Sequence, residues 1–404
     1  MQKSSFWKAG HTPTLLASFF YFDLSFMVWV ILGPLAVQIA GDLELTPAQK
    51  GLMVATPLLA GALLRIVMGV LVDHLKPKKA GIIGQVVVMS GMLWAWLGDL
   101  STYHTMLAFG VILGFAGAAF AVALPLASRW YPPEHQGTAL GIAGAGNSGT
   151  AFAALFAPTL AIMFGWQNVF GLCLIPLSVA FVVYLVFTRD APNAPPAKSL
   201  LEYLHVLKDK DAWWFMFFYS VTFGGFSGLA SSLTIYFNGQ YGLSPVTAGY
   251  FTAACVFAGS AIRPLGGRLA DRIGGIKTLS LMYTLAATFM LIASFGLSSA
   301  MGAVLIFVLA MLALGVGNGA VFQLVPQRFR KEIGVMTGLV GMAGGIGGFY
   351  LASSLGYSKQ LTGSYQGGLM VFAALAIVAL LGLSTVKNRW RTTWGSAAMT
   401  NAKI

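Results

Sequence analysis

Arg65-Ile-Val-Met-Gly69-Val-Leu-Val-Asp73 and, further along, Arg263-Pro-Leu-Gly-Gly267-Arg268-Leu-Ala-Asp271 share one skeleton. Each reads arginine, glycine four later, aspartate four after that, and the two copies keep a constant offset (263 against 65). Both arginines fall inside long apolar runs. A guanidinium in hydrocarbon costs roughly 2.5–3.5 kcal/mol even on the lenient insertion scale, so it normally faces a cavity or a partner. The same costly residue at matching places makes the two halves of the chain parallel repeats, related by six helices.

Working outward, apolar runs long enough to cross a bilayer recur from end to end. They predict spans over 14–39, 48–72, 80–98, 104–128, 138–163, 167–188, 212–237, 246–270, 276–297, 302–326, 334–358 and 366–386. Of 404 residues, 57% are hydrophobic and 9% charged, against roughly 25% charged in a soluble domain. The short alternating segments of a membrane β-barrel are absent. The first run is too long for the apolar core of a signal peptide and is read as an uncleaved span. The arrangement expected is residues 1–188 as one six-helix bundle, 189–211 as a linker rich in proline and charge, and 212–404 as a second six-helix bundle with a short tail.

The net charge of +12 reflects topology rather than a nucleic-acid partner. One alternating set of loops holds Lys3, Lys8, Lys76, Lys78, Lys79, Arg129, Arg189, Lys198, Lys208, Lys210, Arg268, Arg272, Lys277, Arg328, Arg330, Lys331, Lys387, Arg389, Arg391 and Lys403. The opposite set holds Lys50 and Lys359. The positive-inside rule places the first set, with both termini, in the cytoplasm. Cys173 and Cys255 fall within spans, which excludes a disulfide framework or a zinc site. The histidines lie in loops or near span ends, so no metal, cofactor or enzymatic constellation is expected. A receptor would need a larger soluble segment than the tail provides.

A second pair of segments repeats. Gly137-Thr-Ala-Leu-Gly141-Ile-Ala-Gly144-Ala-Gly146-Asn147-Ser-Gly149 opens the fifth span, and Gly334-Val-Met-Thr-Gly338-Leu-Val-Gly341-Met-Ala-Gly344-Gly345 opens the eleventh. Small residues at this density let helix backbones approach closely. With Asn147 among them, they point to helices lining a moving cavity.

Here the chain resembles a known family. Gly69 to Lys79 and Gly267 to Gly275 resemble the loop motif of the major facilitator superfamily. The glycine-rich segments with Asn147 are similar to the signatures of its nitrate/nitrite porter family. The resemblance implies an all-α membrane protein of twelve transmembrane helices in two six-helix bundles, working by alternating access in the inner membrane. It implies that Arg65 and Arg263 grip the anion, that Phe120, Tyr219 and Phe223 frame it, and that Asn147 is a polar contact. It implies a gating role for Asp73 and Asp271, within the motif that also holds Gly69, Gly267, Arg268 and Arg272.

Helix arithmetic tests whether these residues can share a depth. At 1.5 Å per residue, Arg65 and Arg263 lie roughly 12 Å from Asp73 and Asp271, and Phe120, Asn147 and Phe223 come out at roughly 13–17 Å from their own helix ends. Tyr219 is slightly lower. A planar, permanently charged guanidinium gives paired N–H bonds to two oxygens, which suits a flat, weakly hydrated oxyanion such as nitrate or nitrite. Each arginine could instead be a helix staple paired to a carboxylate. The spans supply one acid for two arginines: Asp23, roughly 15 Å deep. Asp23 is a candidate for proton coupling, competing for an arginine when ionised; a permanent ion pair is the alternative. Proton–nitrate symport is preferred to nitrate/nitrite exchange, and a facilitator for a small organic carboxylate is the third possibility. The expected partners are the anion, protons and the lipid bilayer, with a single chain sufficient for a pathway.

Overall fold

The computed structural model describes residues 6–192, 204–329, 332–395 and 404, without the side chains at 133, 134, 136 and 137. The surroundings of Gly137, most of the linker, and Lys3, Lys198, Arg330, Lys331 and Lys403 lie outside the described residues. Every described element is helical. Eleven helical segments are long and apolar enough to span a membrane: α1 (Thr12–Asp42), α2 (Pro47–Leu75), α3 (Pro77–Leu97), α4 (Tyr103–Ser128), α5 (Thr138–Phe164), α6 (Trp166–Phe187), α8 (Pro245–Ile273), α9 (Gly275–Ser294), α10 (Ala300–Arg328), α11 (Ile333–Thr362) and α12 (Gln366–Thr392). The remaining long helix, α7 (Lys210–Tyr241), occupies the seventh place. It is less apolar because much of it is glycine, serine, threonine and aromatic residues, and it has little need of a lipid-facing surface. All but a few of its residues from Asp211 to Phe237 are buried.

Local chemistry sets the ends. Thr46 and Thr102 form capping boxes with Gln49 and Thr105 at the starts of α2 and α4, satisfying N–H groups that the first turn leaves unpaired. Pro47, Pro77 and Pro245 stand in the first turn, where a missing N–H is no loss. Gly165 (φ +82°) and Gly274 (φ +99°) turn the chain between α5 and α6 and between α8 and α9 in one residue each.

Helix ends differ from the sequence expectation by a few residues, and two of the differences meet at one place: α7 already begins at Lys210, and α12 continues past 386 to Thr392. The reason is Asp211, whose side chain is 4% exposed. It accepts from Arg328 Nε of α10 at 2.9 Å, from Arg389 Nη2 of α12, and from the Trp390 indole N–H at 2.8 Å. Three helix ends are thereby tied at one carboxylate. Asp211→Asn is expected to lower stability by about 2 kcal/mol, because it removes the charge and one acceptor from a buried cluster. A thermal unfolding midpoint in detergent that does not fall would refute this role.

The two bundles meet most tightly on the side away from the termini. A Cβ at Gly51 of α2 would lie 2.8 Å from Gly356 Cα of α11, and Ala48 N donates to Gln360 Oε1 at 2.9 Å. Gly33 of α1 abuts the Ser231 backbone of α7, and Gly249 of α8 abuts Ala154 O of α5. On the terminus-bearing side the relation reverses. Nothing lies within 4 Å of where a Cβ would stand on Gly141 or Gly144 of α5, or on Gly267 of α8. The bundles close at the far side and part toward the termini.

Candidate functional site

Three helices break at one level, and the breaks assemble the site. α4 is regular from Tyr103 to Gly117 and restarts at Phe120. Ala121 N donates to Ala118 O instead of Gly117 O, so the Gly117 carbonyl is free to accept from Arg65 Nε at 3.2 Å. α5 tightens into a 3₁₀ turn over Ala145–Ser148, which carries Asn147. α8 breaks at Ile262, and Arg263 opens its second segment, with Pro264 removing a backbone donor. Irregular backbone at membrane depth is tolerated where it is buried in protein or lines a cavity.

Arg65 is 1% exposed. Besides Gly117 O, it donates through Nη1 to Gly341 O of α11, so one guanidinium joins the two bundles. Its charge rests among three rings, with Cζ 5.4 Å from Trp29, 5.1 Å from Phe120 and 5.3 Å from Phe223. Nη2 is buried and has no hydrogen-bond partner among the described residues. Arg263 donates through Nη2 to the Tyr219 hydroxyl at 3.2 Å and lies over Phe322 at 5.9 Å. Its Nη1 is likewise buried and without a partner among the described residues. Among the described residues neither arginine forms an ion pair with a carboxylate, so the staple alternative has no acid to rest on there.

The aromatic frame is continuous. Tyr219 and Phe223 stack at 5.2 Å and 4°, Phe322 meets Tyr219 edge-on at 5.0 Å, and Phe120 lies 6.2 Å from Phe322. Gly344 makes room for it: a Cβ there would stand 2.8 Å from both Tyr219 Cδ1 and Phe223 Cδ1. Asn147 is fully buried, and neither its amide oxygen nor its nitrogen has a hydrogen-bond partner among the described residues. The structure thus brings Arg65, Arg263, Phe120, Tyr219 and Phe223 into one linked set. Asn147 sits on the α5 turn whose backbone carbonyl accepts from Ser260 Oγ of α8 at 3.4 Å.

Other expectations need correction. Asp23 pairs with no arginine among the described residues; its Oδ1 accepts from Ser148 Oγ at 2.7 Å. The cause is the close crossing of α1 and α5, where Gly149 abuts Asp23 O and Gly146 lies against Phe22. Lys76 has a positive φ (+71°) at the turn after α2, and Lys78 Nζ donates to Leu185 O and Thr188 O. Asp73 pairs with Arg129 at 3.4 Å, within its own bundle. Asp271, Arg268 and Arg272 are exposed and form no ion pair among the described residues. The glycine signature divides as well. Gly146, Gly149, Gly344 and Gly345 seat neighbouring helices or rings, whereas Gly141 and Gly144 face open space.

Comparison with known proteins completes the picture. The family model described as Major Facilitator Superfamily matches residues 15–352. The chain belongs to the major facilitator superfamily. A protein named probable nitrate/nitrite transporter NarK2, from Mycobacterium tuberculosis H37Rv, is 33% identical over 377 residues, 92% of this chain and 95% of that one. The nitrite extrusion protein of Bacillus subtilis 168 is 30% identical, covering 88% and 89%. A probable nitrate transporter NarT from Staphylococcus carnosus TM300 is 33% identical, covering 89% and 92%. These relationships place this facilitator in the nitrate/nitrite porter family, whose members are transporters and not enzymes. In fold it is similar to an inward-facing, occupied bacterial homologue of the human lysosomal transporter Spinster, with TM-score 0.71 at 17% identity, covering 94% and 97%.

In this facilitator, Trp29 and Phe322 are site neighbours that the sequence did not reveal. Trp29 donates to Pro57 O at 2.7 Å and fits against Gly61 and Gly117. With 29 phenylalanines and 10 tryptophans in the chain, an aromatic in a span carries no mark of which side it faces.

Proposed function

We propose that this facilitator carries nitrate, and nitrite, across the inner membrane by alternating access, as a proton-coupled nitrate symporter with cytoplasmic termini. The observation that supports it is the pair of arginines without carboxylate partners, each offering a buried, unpartnered Nη within an aromatic frame. A flat anion satisfies both free N–H groups at once. The rings exclude water, and a weakly hydrated anion loses little on entry. The names of the relatives above agree with this substrate class.

Alternating access follows from the same contacts. Arg65 bonds Gly341 O across the bundle boundary, so an anion drawing both arginines together changes what holds the bundles in register. The parted side carries the termini and, by the positive-inside rule, faces the cytoplasm. Coupling runs through α5 rather than through competition for an arginine. Asp23 holds Ser148, the neighbour of Asn147, so adding or removing its proton alters the hydrogen bond that sets the 3₁₀ turn. One chain supplies both arginines, so a monomer suffices.

Uptake into proteoliposomes tests the reading. Nitrate should accumulate under an inward proton gradient with empty lumen, and formate or acetate should compete poorly. Uptake only with nitrite loaded inside would make the protein an exchanger; no nitrate flux in either format would overturn the proposal.

A further inference from the structure

The helix α10 places Phe322 against Arg263, Tyr219 and Phe120. One turn earlier on the same face stands Asn318. It is flanked by Gly317 and Gly319, and those glycines locate it. A Cβ on Gly317 would lie 2.7 Å from Thr222 Cγ2 of α7, and one on Gly319 would lie 2.7 Å from Arg263 O of α8. Asn318 therefore sits where α7, α8 and α10 converge. Its distance from the α10 end at Arg328 is roughly 15 Å, the same depth as Arg65 from Leu75 and Arg263 from Ile273.

Asn318 is fully buried, and among the described residues both its amide oxygen and its nitrogen lack a hydrogen-bond partner. Thr222, also fully buried, has a hydroxyl without a partner among them. Arg263, whose backbone carbonyl borders Gly319, carries an Nη1 that has no partner among the described residues. Buried amides without partners are rare in folded proteins and concentrate where a ligand or function supplies the partner. Packing alone would be met by an apolar side chain, as at Leu314 and Val321 on the same helix.

We propose that Asn318, supported by Thr222, is a further substrate contact that determines anion selectivity. The inference rests on the anion-transport reading above. A trigonal oxyanion presents three oxygens. Two are taken by the guanidiniums of Arg65 and Arg263, and the third is available to the Asn318 amide N–H. A bent dioxyanion has no third oxygen. Asn318 thus favours nitrate over nitrite, and the Thr222 hydroxyl is a second polar group on the same side of the anion.

The test uses the full chain in proteoliposomes, with KM measured for nitrate and for nitrite. Asn318→Leu, similar in volume and without polar atoms, should raise the nitrate KM about tenfold, the worth of one hydrogen bond. Its nitrite KM should change less than about threefold, since that anion does not use the contact. Thr222→Val should shift the preference in the same direction by less. Equal shifts for both anions, or none, would overturn the assignment. Should Asn318→Leu fail to accumulate, Asn318→Ser and Thr222→Val decide the matter, and an unchanged preference in both overturns it. Wild type carrying neither anion overturns the transport reading as well, which separates the two failures.

Discussion

Arg65→Lys is expected to cut kcat/KM for nitrate by at least about 100-fold although the charge is kept. The arginine does two jobs with one plane. Nε and Nη1 are committed to Gly117 O and Gly341 O, and Nη2 remains for the anion. An ammonium is a single point with three donors and cannot hold two carbonyls on opposite bundles while presenting a further edge. A hydrogen bond to a charged group contributes about 1.5–3 kcal/mol, and losing two of that kind corresponds to about a hundredfold or more. Arg263→Lys should lose a comparable amount. Tyr219→Phe, which removes one bond to Arg263 Nη2, should cost about tenfold. Retention of more than a tenth of wild-type uptake by either lysine variant would refute the bidentate grip.

Asp23→Asn is expected to remove the stimulation by a proton gradient and to leave nitrate/nitrite counterflow in place. The amide preserves shape and can still accept from Ser148 Oγ, which donates to Asp23 at 2.7 Å. It cannot take up or release a proton. Asp23 is 5% exposed and lies in α1 against the tight crossing with α5, so a neutral replacement should not unfold the protein. The decisive comparison is initial uptake with and without an inward gradient, in variant and wild type side by side. Gradient-driven uptake that survives the substitution would make Asp23 a structural partner of Ser148 and move the coupling elsewhere.

The two arginines were visible in the sequence because they are anomalies. A guanidinium among apolar residues is costly wherever it falls, and Gly69, Asp73, Gly267 and Asp271 at matching spacings showed that it occurs twice by duplication. The helices were visible for the same reason: a bilayer demands runs of fixed length, and α2, α4, α8 and α11 begin and end within a few residues of the apolar runs. Asn318 carries no mark in the sequence, because a lone asparagine between two glycines in α10 has no counterpart in a repeat. The ion pairs at the helix ends were not legible: Asp73 takes Arg129, and Arg328, at the end of α10, takes Asp209 and Asp211, brought close only when α7 packs against α10 and α12.

By itself the sequence determined the membrane class, the order of the spans, the duplication and the depth of the arginines. These follow from hydropathy and helix rise, which depend on local residue order. Only the tertiary structure decided which faces converge. It turned Trp29 and Phe322 toward the arginines, gave Asp23 to Ser148 and, among the described residues, left Arg65 and Arg263 without a carboxylate. Those choices depend on helix rotation and crossing, fixed by close approaches such as Gly149 on Asp23 O and by breaks at Gly117 and Ile262. A single helix, read alone, carries no record of its neighbours.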